Sequence, residues 1–218
     1  VYLGKVTKIL KSANAAFVDC GLERATFLSG NDARSLISED KKQLNISELV
    51  HEGEKIIVQL IKEPIGHKGA EVRTGILLPG RFLVFRPSGV GVNVSRKLEN
   101  GDERKRLSNI VASELRPDEG VIIRTGAEGE APESIIAELA SLKERWSQIV
   151  SQSKKTKKPG CINEELPPVL RYLRDRLVRS INSIVVDDRA MFFKVQEFCT
   201  QYFPEVMDKL ELRLFPMN

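Results

Sequence analysis

The chain has 218 residues, 41% of them hydrophobic and 29% charged, with 34 Lys and Arg against 30 Asp and Glu for a formal net charge of +4. That is enough chain for two ordinary globular cores, and no apolar run approaches the roughly 20 residues that a membrane span needs. The mildly basic balance admits nucleic acid as a partner but is far from that of a densely cationic architectural binder, while Cys20, Cys161 and Cys199, odd in number and without C-x-x-C spacing, indicate neither a disulfide framework nor a zinc site and fit a reducing cytosol.

Val1 stands where a Met would open a complete chain, with no basic-then-apolar leader behind it, so the sequence reads as a piece of a larger protein. From Val1 to Ile76 strand signals dominate. Tyr2 to Ile9, Ala15 to Cys20 and Ala25 to Leu28 alternate apolar with polar residues, and Asn14 and Gly21 mark turns. A polar segment with Asn31, Asp32, Ser38 and Asp40 follows. Strand character resumes at Lys55 to Lys62, turns through Pro64-Ile65-Gly66-His67-Lys68-Gly69, and returns at Ala70 to Thr74, which gives five strands and an OB-type barrel. Phe17 and Phe27 fall on adjacent strands. Two readings are open for them: ordinary core rings, or outward rings on which unstacked bases lie, at about 1–3 kcal/mol per base. Lys68, in the turn before the last strand, is placed to meet a phosphate backbone beside those rings.

Leu77-Leu78-Pro79-Gly80 closes this module and Arg81 to Pro87 opens a new strand. A glycine-rich, hairpin-like segment from Ser88 to Val92 leads to Asn93-Val94-Ser95-Arg96-Lys97. A charged amphipathic helix is expected from about Asp102 to Leu115, then the apolar run Val121-Ile122-Ile123, then a helix from Pro132 to about Val150. This alternation indicates an α/β layer. The run stops at Arg124-Thr125-Gly126: a guanidinium fork, a hydroxyl and bare backbone, the groups that a phosphate site requires. Successive strand residues point to opposite faces, so Arg124 and Thr125 can share a ligand only if the strand is ending there. An ion pair of Arg124 with Glu128 or Glu130 is the competing reading.

Ser151 to Lys158 reads as a solvated, lysine-bearing linker. Pro167-Pro168 opens a helix with Leu170, Leu173 and Leu177 on one side and Arg171, Arg174, Arg176 and Arg179 beside them, read as core packing and a solvated face. Ile184 to Val186 reads as a buried strand leading into a helix from Ala190 to Tyr202, with Asp187-Asp188 as cap and turn residues rather than metal ligands. Neither His51 nor His67 belongs to a nucleophile–base pattern. No catalytic residue and no metal ligand is expected within this chain.

The stretches Gly4 to Ile9, Ala15 to Gly21, Glu23 to Leu28, Gly80 to Pro87, Val94 to Glu99 and Ile123 to Gly126 together resemble the bacterial ribonuclease E/G family, over essentially the whole chain. The resemblance implies an α+β protein. Residues 1–76 would be a five-stranded OB-type RNA-binding barrel of the ribosomal-protein type, 77–209 an α/β 5′-sensor domain, and 210–218 the start of a truncated RNase H-like subdomain, with the catalytic domain absent. It implies that Phe17, Phe27 and Lys68 contact RNA, which makes the outward reading of the rings the favoured one. It implies that Arg124 and Thr125 bind a 5′-terminal monophosphate, with Gly80 and Val84 lining the place of the terminal nucleotide and Arg96 supporting. Lys97 stands where the family commonly has a second arginine, and lacks the fork.

For the intact protein the resemblance implies an endoribonuclease that hydrolyses single-stranded RNA in mRNA decay and rRNA processing. Catalytic Mg²⁺, held by carboxylates of a DNase I-like domain, and a structural Zn²⁺ link between protomers of a homo-oligomer would lie beyond this segment. Degradosome partners would attach outside it too. The segment itself is expected to bind 5′-monophosphorylated RNA without cutting it. Two alternatives are a non-catalytic OB-fold RNA-binding protein of the translation or transcription apparatus and an inactive paralogue.

Overall fold

Alternation in the amino-terminal third closes into a barrel. In the computed structural model, which describes residues 1–33, 45–66, 68–177 and 181–214, the strands β1 (Tyr2–Leu10), β2 (Ala15–Asp19) and β3 (Thr26–Ser29) are followed by a single helical turn, α1 (Ile46–Leu49), and by β4 (Lys55–Lys62) and β5 (Glu71–Arg73). Ser38, Asp40, His67, Arg179 and the residues from Phe215 on lie outside the described residues. The strand order is β1-β2-β3-β5-β4, and β4 pairs back onto β1, so no edge is left within the ring. The register stacks Ile9, Ala16, Leu28, Val72 and Leu60 in one cross-strand row. Val6, Ala16, Val18, Leu28, Val58 and Val72 are completely buried and form the barrel core.

Two turn residues do specific work. Asn14 takes a left-handed conformation (φ 45°) between the 3₁₀ turn Lys11–Ala13 and β2, and its side-chain oxygen accepts from the Ile46 amide at 2.7 Å, anchoring α1. Gly69 passes so close to β3 that a Cβ there would lie 2.3 Å from the Ala25 carbonyl oxygen, and the Phe27 amide donates to the Ala70 carbonyl at 2.8 Å. The parallel β3–β5 pairing thus depends on a bare backbone at Gly69.

The α/β layer contains β6 (Leu78–Pro79), β7 (Leu83–Arg86), β8 (Gly91–Val94), α2 (Gly101–Ala112), β9 (Gly120–Ile123) and α3 (Pro132–Lys155). Its sheet runs β6-β7-β9-β8, with β8 and β9 parallel and β7 antiparallel to β9. The hairpin expected at Ser88 to Val92 therefore does not form: β7 and β8 are separated by β9. The continuously apolar Val121-Ile122-Ile123 takes an inner position, where both neighbours can hydrogen-bond it, and the more polar β8 goes to the edge. Parallel pairing of β8 and β9 needs a crossover, which α2 supplies. Asn100 caps α2 through the Asp102 and Glu103 amides. Leu83, Phe85, Leu107, Val121, Ile123, Ile135 and Leu139 form the core between sheet and helices.

The lysine segment from Ser151 is not a linker from its start, because α3 continues through Lys155. The Ser153 hydroxyl donates to the Val150 carbonyl and the Thr156 hydroxyl to that of Gln152, while Lys154 and Lys155 sit at the negative end of the helix dipole. The chain then returns to the barrel as β10 (Gly160–Cys161), antiparallel to β1. A second tie is Gln59 on β4, whose side chain both donates to and accepts from the Leu77 backbone, at 2.9 Å in each direction.

By internal contacts the chain divides into Val1–Glu164 and Glu165–Asn218, so the barrel and the α/β layer share the first unit. The second unit, taken by itself, holds α4 (Pro168–Arg176), β11 (Ile184–Val186), α5 (Arg189–Tyr202) and β12 (Leu210–Leu212), with β11 and β12 parallel. Its core is Leu170, Leu173, Val186, Val195, Phe198, Cys199, Phe203 and Val206. Of the expected buried strand only Val186 is buried, and Val185 is 43% exposed, because α5 covers one face of this two-stranded sheet. Asp188 caps α5 by accepting from the Met191 amide at 2.7 Å. The whole is a mixed α+β chain with a closed five-stranded OB-type barrel followed by an α/β layer.

Replacing Gly69 by Ala is expected to destabilise the first unit by about 1–3 kcal/mol, the usual cost of forcing a methyl group into a filled space. Urea unfolding measures it; an unchanged midpoint would mean that β5 does not ride on Ala25 as described.

Candidate nucleic-acid interface

On β2 and β3, Phe17 and Phe27 alternate with the buried Ala16, Val18, Thr26 and Leu28, so both rings stand on the outer face of the barrel and are half-buried there. They are cross-strand partners, edge to face, with centroids 6.3 Å apart and planes at 71°. The same register places exposed Lys8 opposite Phe17 on one side, and Glu71 opposite Phe27 on the other, where Glu71 pairs with Lys62 at 2.7 Å. Lys68 is exposed in the β4–β5 loop, its amide donating to the Ile65 carbonyl at 3.0 Å. Arg24 holds this loop to the β2–β3 connection by donating to the Gly66 carbonyl at 3.0 Å. His51 is a surface residue, 3.7 Å from the Glu54 carboxylate.

A second group of residues gathers at one end of the four-stranded sheet. Parallel β8 and β9 finish side by side, and antiparallel β7 begins there, so Ser95-Arg96, Arg124-Thr125 and Gly80-Arg81 become neighbours. The Ser95 amide donates to the Ile123 carbonyl and the Arg124 amide to the Phe82 carbonyl, both at 2.8 Å. β9 stops at Ile123 and a 3₁₀ turn runs from Thr125 to Ala127, which meets the condition for consecutive side chains to serve one ligand. Thr125 and Arg96 are exposed, Arg124 and Val84 half-buried, and Gly80 buried. Val84 lies farther along β7, beside Ile122 and on the face opposite Leu83 and Phe85. Arg104 fixes the strand-end loop that carries Arg96, one guanidinium nitrogen donating to the Ser95 carbonyl at 2.7 Å and the Leu98 carbonyl at 2.9 Å.

The centre of this cluster is held by a residue that sequence reasoning passed over. Glu138 reaches from α3 to accept from the Arg81, Phe82 and Leu83 amides at 2.6, 2.8 and 2.8 Å. A Cβ at Gly80 would lie 2.6 to 2.8 Å from that carboxylate, so the glycine is what admits it. Arg124 completes the arrangement, donating to the Gly80 carbonyl at 2.6 Å. The glutamate stem is partly exposed while its carboxylate is enclosed; burial raises its pKa, opposed by the three amides and by the Arg124 charge. The signal was present in the helix pattern: Ile135, Glu138, Leu139 and Leu142 share one stripe, and an acid on an apolar stripe calls for a buried partner.

The loop between the Thr125 turn and α3 has its own clasp. Glu103 accepts a bidentate pair of bonds from Arg106, each 2.7 Å, and one from the Gly129 amide at 2.8 Å, while Arg106 also donates to the Glu130 carbonyl. Arg106 first, then the Gly129 amide, draw the Glu103 pKa down to about 2.

A closed OB-type barrel with outward rings, joined to an α/β layer with cationic strand ends, is an architecture suited to single-stranded nucleic acid. Comparison with known proteins is specific. The ribonuclease E/G family model matches residues 77–215. Ribonuclease G of Salmonella typhimurium (strain SL1344) is 38% identical over 218 residues, covering 97% of this chain and 45% of that protein, and Ribonuclease G of Escherichia coli (strain K12) matches to the same extent. Ribonuclease E of Nostoc sp. is 35% identical over 199 residues, covering 91% of this chain and 29% of that protein. The chain belongs to the ribonuclease E/G family, and spans less than half the length of these curated relatives.

Among the described residues no three His, Cys, Asp or Glu side chains gather to hold a metal ion. Asp188 is committed to the α5 cap, Cys20 and Cys199 are buried, and Cys161 is exposed. The Mg²⁺ and Zn²⁺ implied by the resemblance thus find no fitting donor set in these residues. No helix among them is long and apolar enough to cross a membrane.

Because the folded pKa of Glu103 lies below its ordinary 4.5, the stability it contributes is present above that value and lost as pH falls toward about 2. Carbon-detected NMR titration should place the Glu103 midpoint near 2, and Arg106→Ala should return it to the ordinary carboxylate range. A wild-type midpoint near 4.5 would show the clasp open in solution.

Proposed function

We propose that this chain is the RNA-recognition part of a Mg²⁺-dependent endoribonuclease of the bacterial cytoplasm, acting on single-stranded RNA with a preference for 5′-monophosphorylated ends. Phe17 and Phe27 give two adjoining aromatic surfaces for bases, and Lys68 a cation for the sugar–phosphate chain. Arg124 and Thr125 supply donors to the terminal phosphate, with Arg96 beside them and Val84 and the Gly80 backbone next to the terminal nucleotide. The observation that carries the reading is the convergence of Gly80, Arg96, Arg124 and Thr125 on one end of a sheet whose central strand stops there.

A small site built from a guanidinium, a hydroxyl and strand-end backbone suits a monophosphate; a triphosphate brings further bulk and charge to the same place. Hydrolysis itself would use carboxylates and Mg²⁺ outside these residues. Each part of the proposal has its own readout.

Short RNAs differing only in a 5′ monophosphate, triphosphate or hydroxyl should bind this chain with the monophosphate tightest, and Arg124→Ala should abolish the difference. Equal affinity for all three ends is the behaviour of an end-indifferent RNA-binding protein and would replace this reading. Lys68→Ala should lower the slope of log affinity against log salt by about one phosphate contact, whereas Phe17→Ala should weaken binding with the slope nearly intact. The opposite pattern would exchange their roles.

A further inference from the structure

Glu138 reaches from α3 to the turn whose Gly80 carbonyl Arg124 engages. Its two oxygens take the three consecutive amides of Arg81, Phe82 and Leu83, and fold the β6–β7 turn so that the Gly80 carbonyl faces the Arg124 guanidinium. The guanidinium is therefore aimed by a carbonyl that is itself aimed by a carboxylate on another element. Such a chain gives direction, because a turn held by three bonds to one carboxylate keeps the acceptor facing Arg124 in place. Gly80, buried between carboxylate and carbonyl partner, is the position where a methyl group would break both links.

We infer that Glu138 is a positioning residue for the recognition of the RNA 5′ end, acting through the 80–83 turn on Arg124. The inference rests on the phosphate-site reading of Arg124 and deepens it, by assigning end selectivity to a helix carboxylate that does not meet the ligand. A glutamine at 138 keeps the shape but places an NH₂ group against amide donors, so at least one of the three bonds is lost and the turn is released. The barrel face with Phe17, Phe27 and Lys68 is untouched by this change, so affinity for the body of the RNA stays.

The test measures affinities of the 218-residue chain for 3′-labelled single-stranded RNAs with a 5′ monophosphate or a 5′ hydroxyl. The proteins compared are the wild type, Glu138→Gln, Arg124→Ala and the double variant. The expected result is a loss of about tenfold in the monophosphate-to-hydroxyl ratio for Glu138→Gln, the factor that one misplaced charge-assisted contact gives. Affinity for the hydroxyl RNA should be unchanged, and the double variant should show no further loss beyond Arg124→Ala. Glu138→Ala, which removes the carboxylate, should reproduce the loss, and faster exchange of the Arg81, Phe82 and Leu83 amides in both Glu138 variants would report the released turn. A wild-type preference that survives Glu138→Gln and Glu138→Ala, or an equal drop for both RNAs as general destabilisation would give, overturns this inference alone. A wild-type ratio of one overturns the phosphate-site reading and this inference with it.

Discussion

The pairing of β9 with a parallel neighbour on one side and an antiparallel neighbour on the other is the constraint on which the α/β layer is built. A parallel partner brings its carboxyl end, and an antiparallel partner its amino end, to the place where β9 terminates. Two loops from distant parts of the chain are thereby delivered to Arg124 without either of them being long. The apolar run that makes β9 central also makes its termination abrupt, since Arg124 cannot follow Ile123 into the core between sheet and helices. Hydrophobic burial thus fixes where the polar groups collect, and amide hydrogen bonds accepted by Glu138 and Glu103, with those Arg104 donates, settle the loops that carry them.

The barrel uses a different economy. Its rings gain position from register alone: Phe17 and Phe27 face outward because each sits between two residues that must be inside. The cross-strand contact sets them edge to face, and each ring is half-buried. Closure of β4 onto β1 removes the sheet edges that a small β module would otherwise have to protect. Lys68 is exposed, and Arg24 ties its loop to the connection between β2 and β3 through the Gly66 carbonyl.

Much of this was legible in the sequence where a local pattern decided the outcome. All five barrel strands, the helix opened by Pro132, the Asp188 cap and the strand stopping before Arg124 follow from alternation, turn residues and capping chemistry. The failures share a cause. The Ser88 to Val92 segment has the composition of a hairpin turn, but partner choice is tertiary, and the more apolar β9 won the central place. Ser151 to Lys155 has a linker's composition, yet the helix already nucleated before it propagates through these residues. Glu138 was missed because an acid on a helix is read as solvent-facing unless the stripe it interrupts is examined. Register across β2 and β3 settled what composition left open, the orientation of Phe17 and Phe27.

The ties between barrel and layer have a consequence for length. β10 returning to β1, and the Gln59 side chain bonding both backbone groups of Leu77, join the two parts by hydrogen bonds rather than by a tether alone, so the span from the aromatic pair to the strand-end arginine is set by the fold. For a ligand engaging both, that span acts as a ruler. Under the proposed function, a transcript engaging both would need enough nucleotides between its first phosphate and the stacked bases to bridge the gap, and a shorter one would occupy one end at a time and forgo the avidity of the pair.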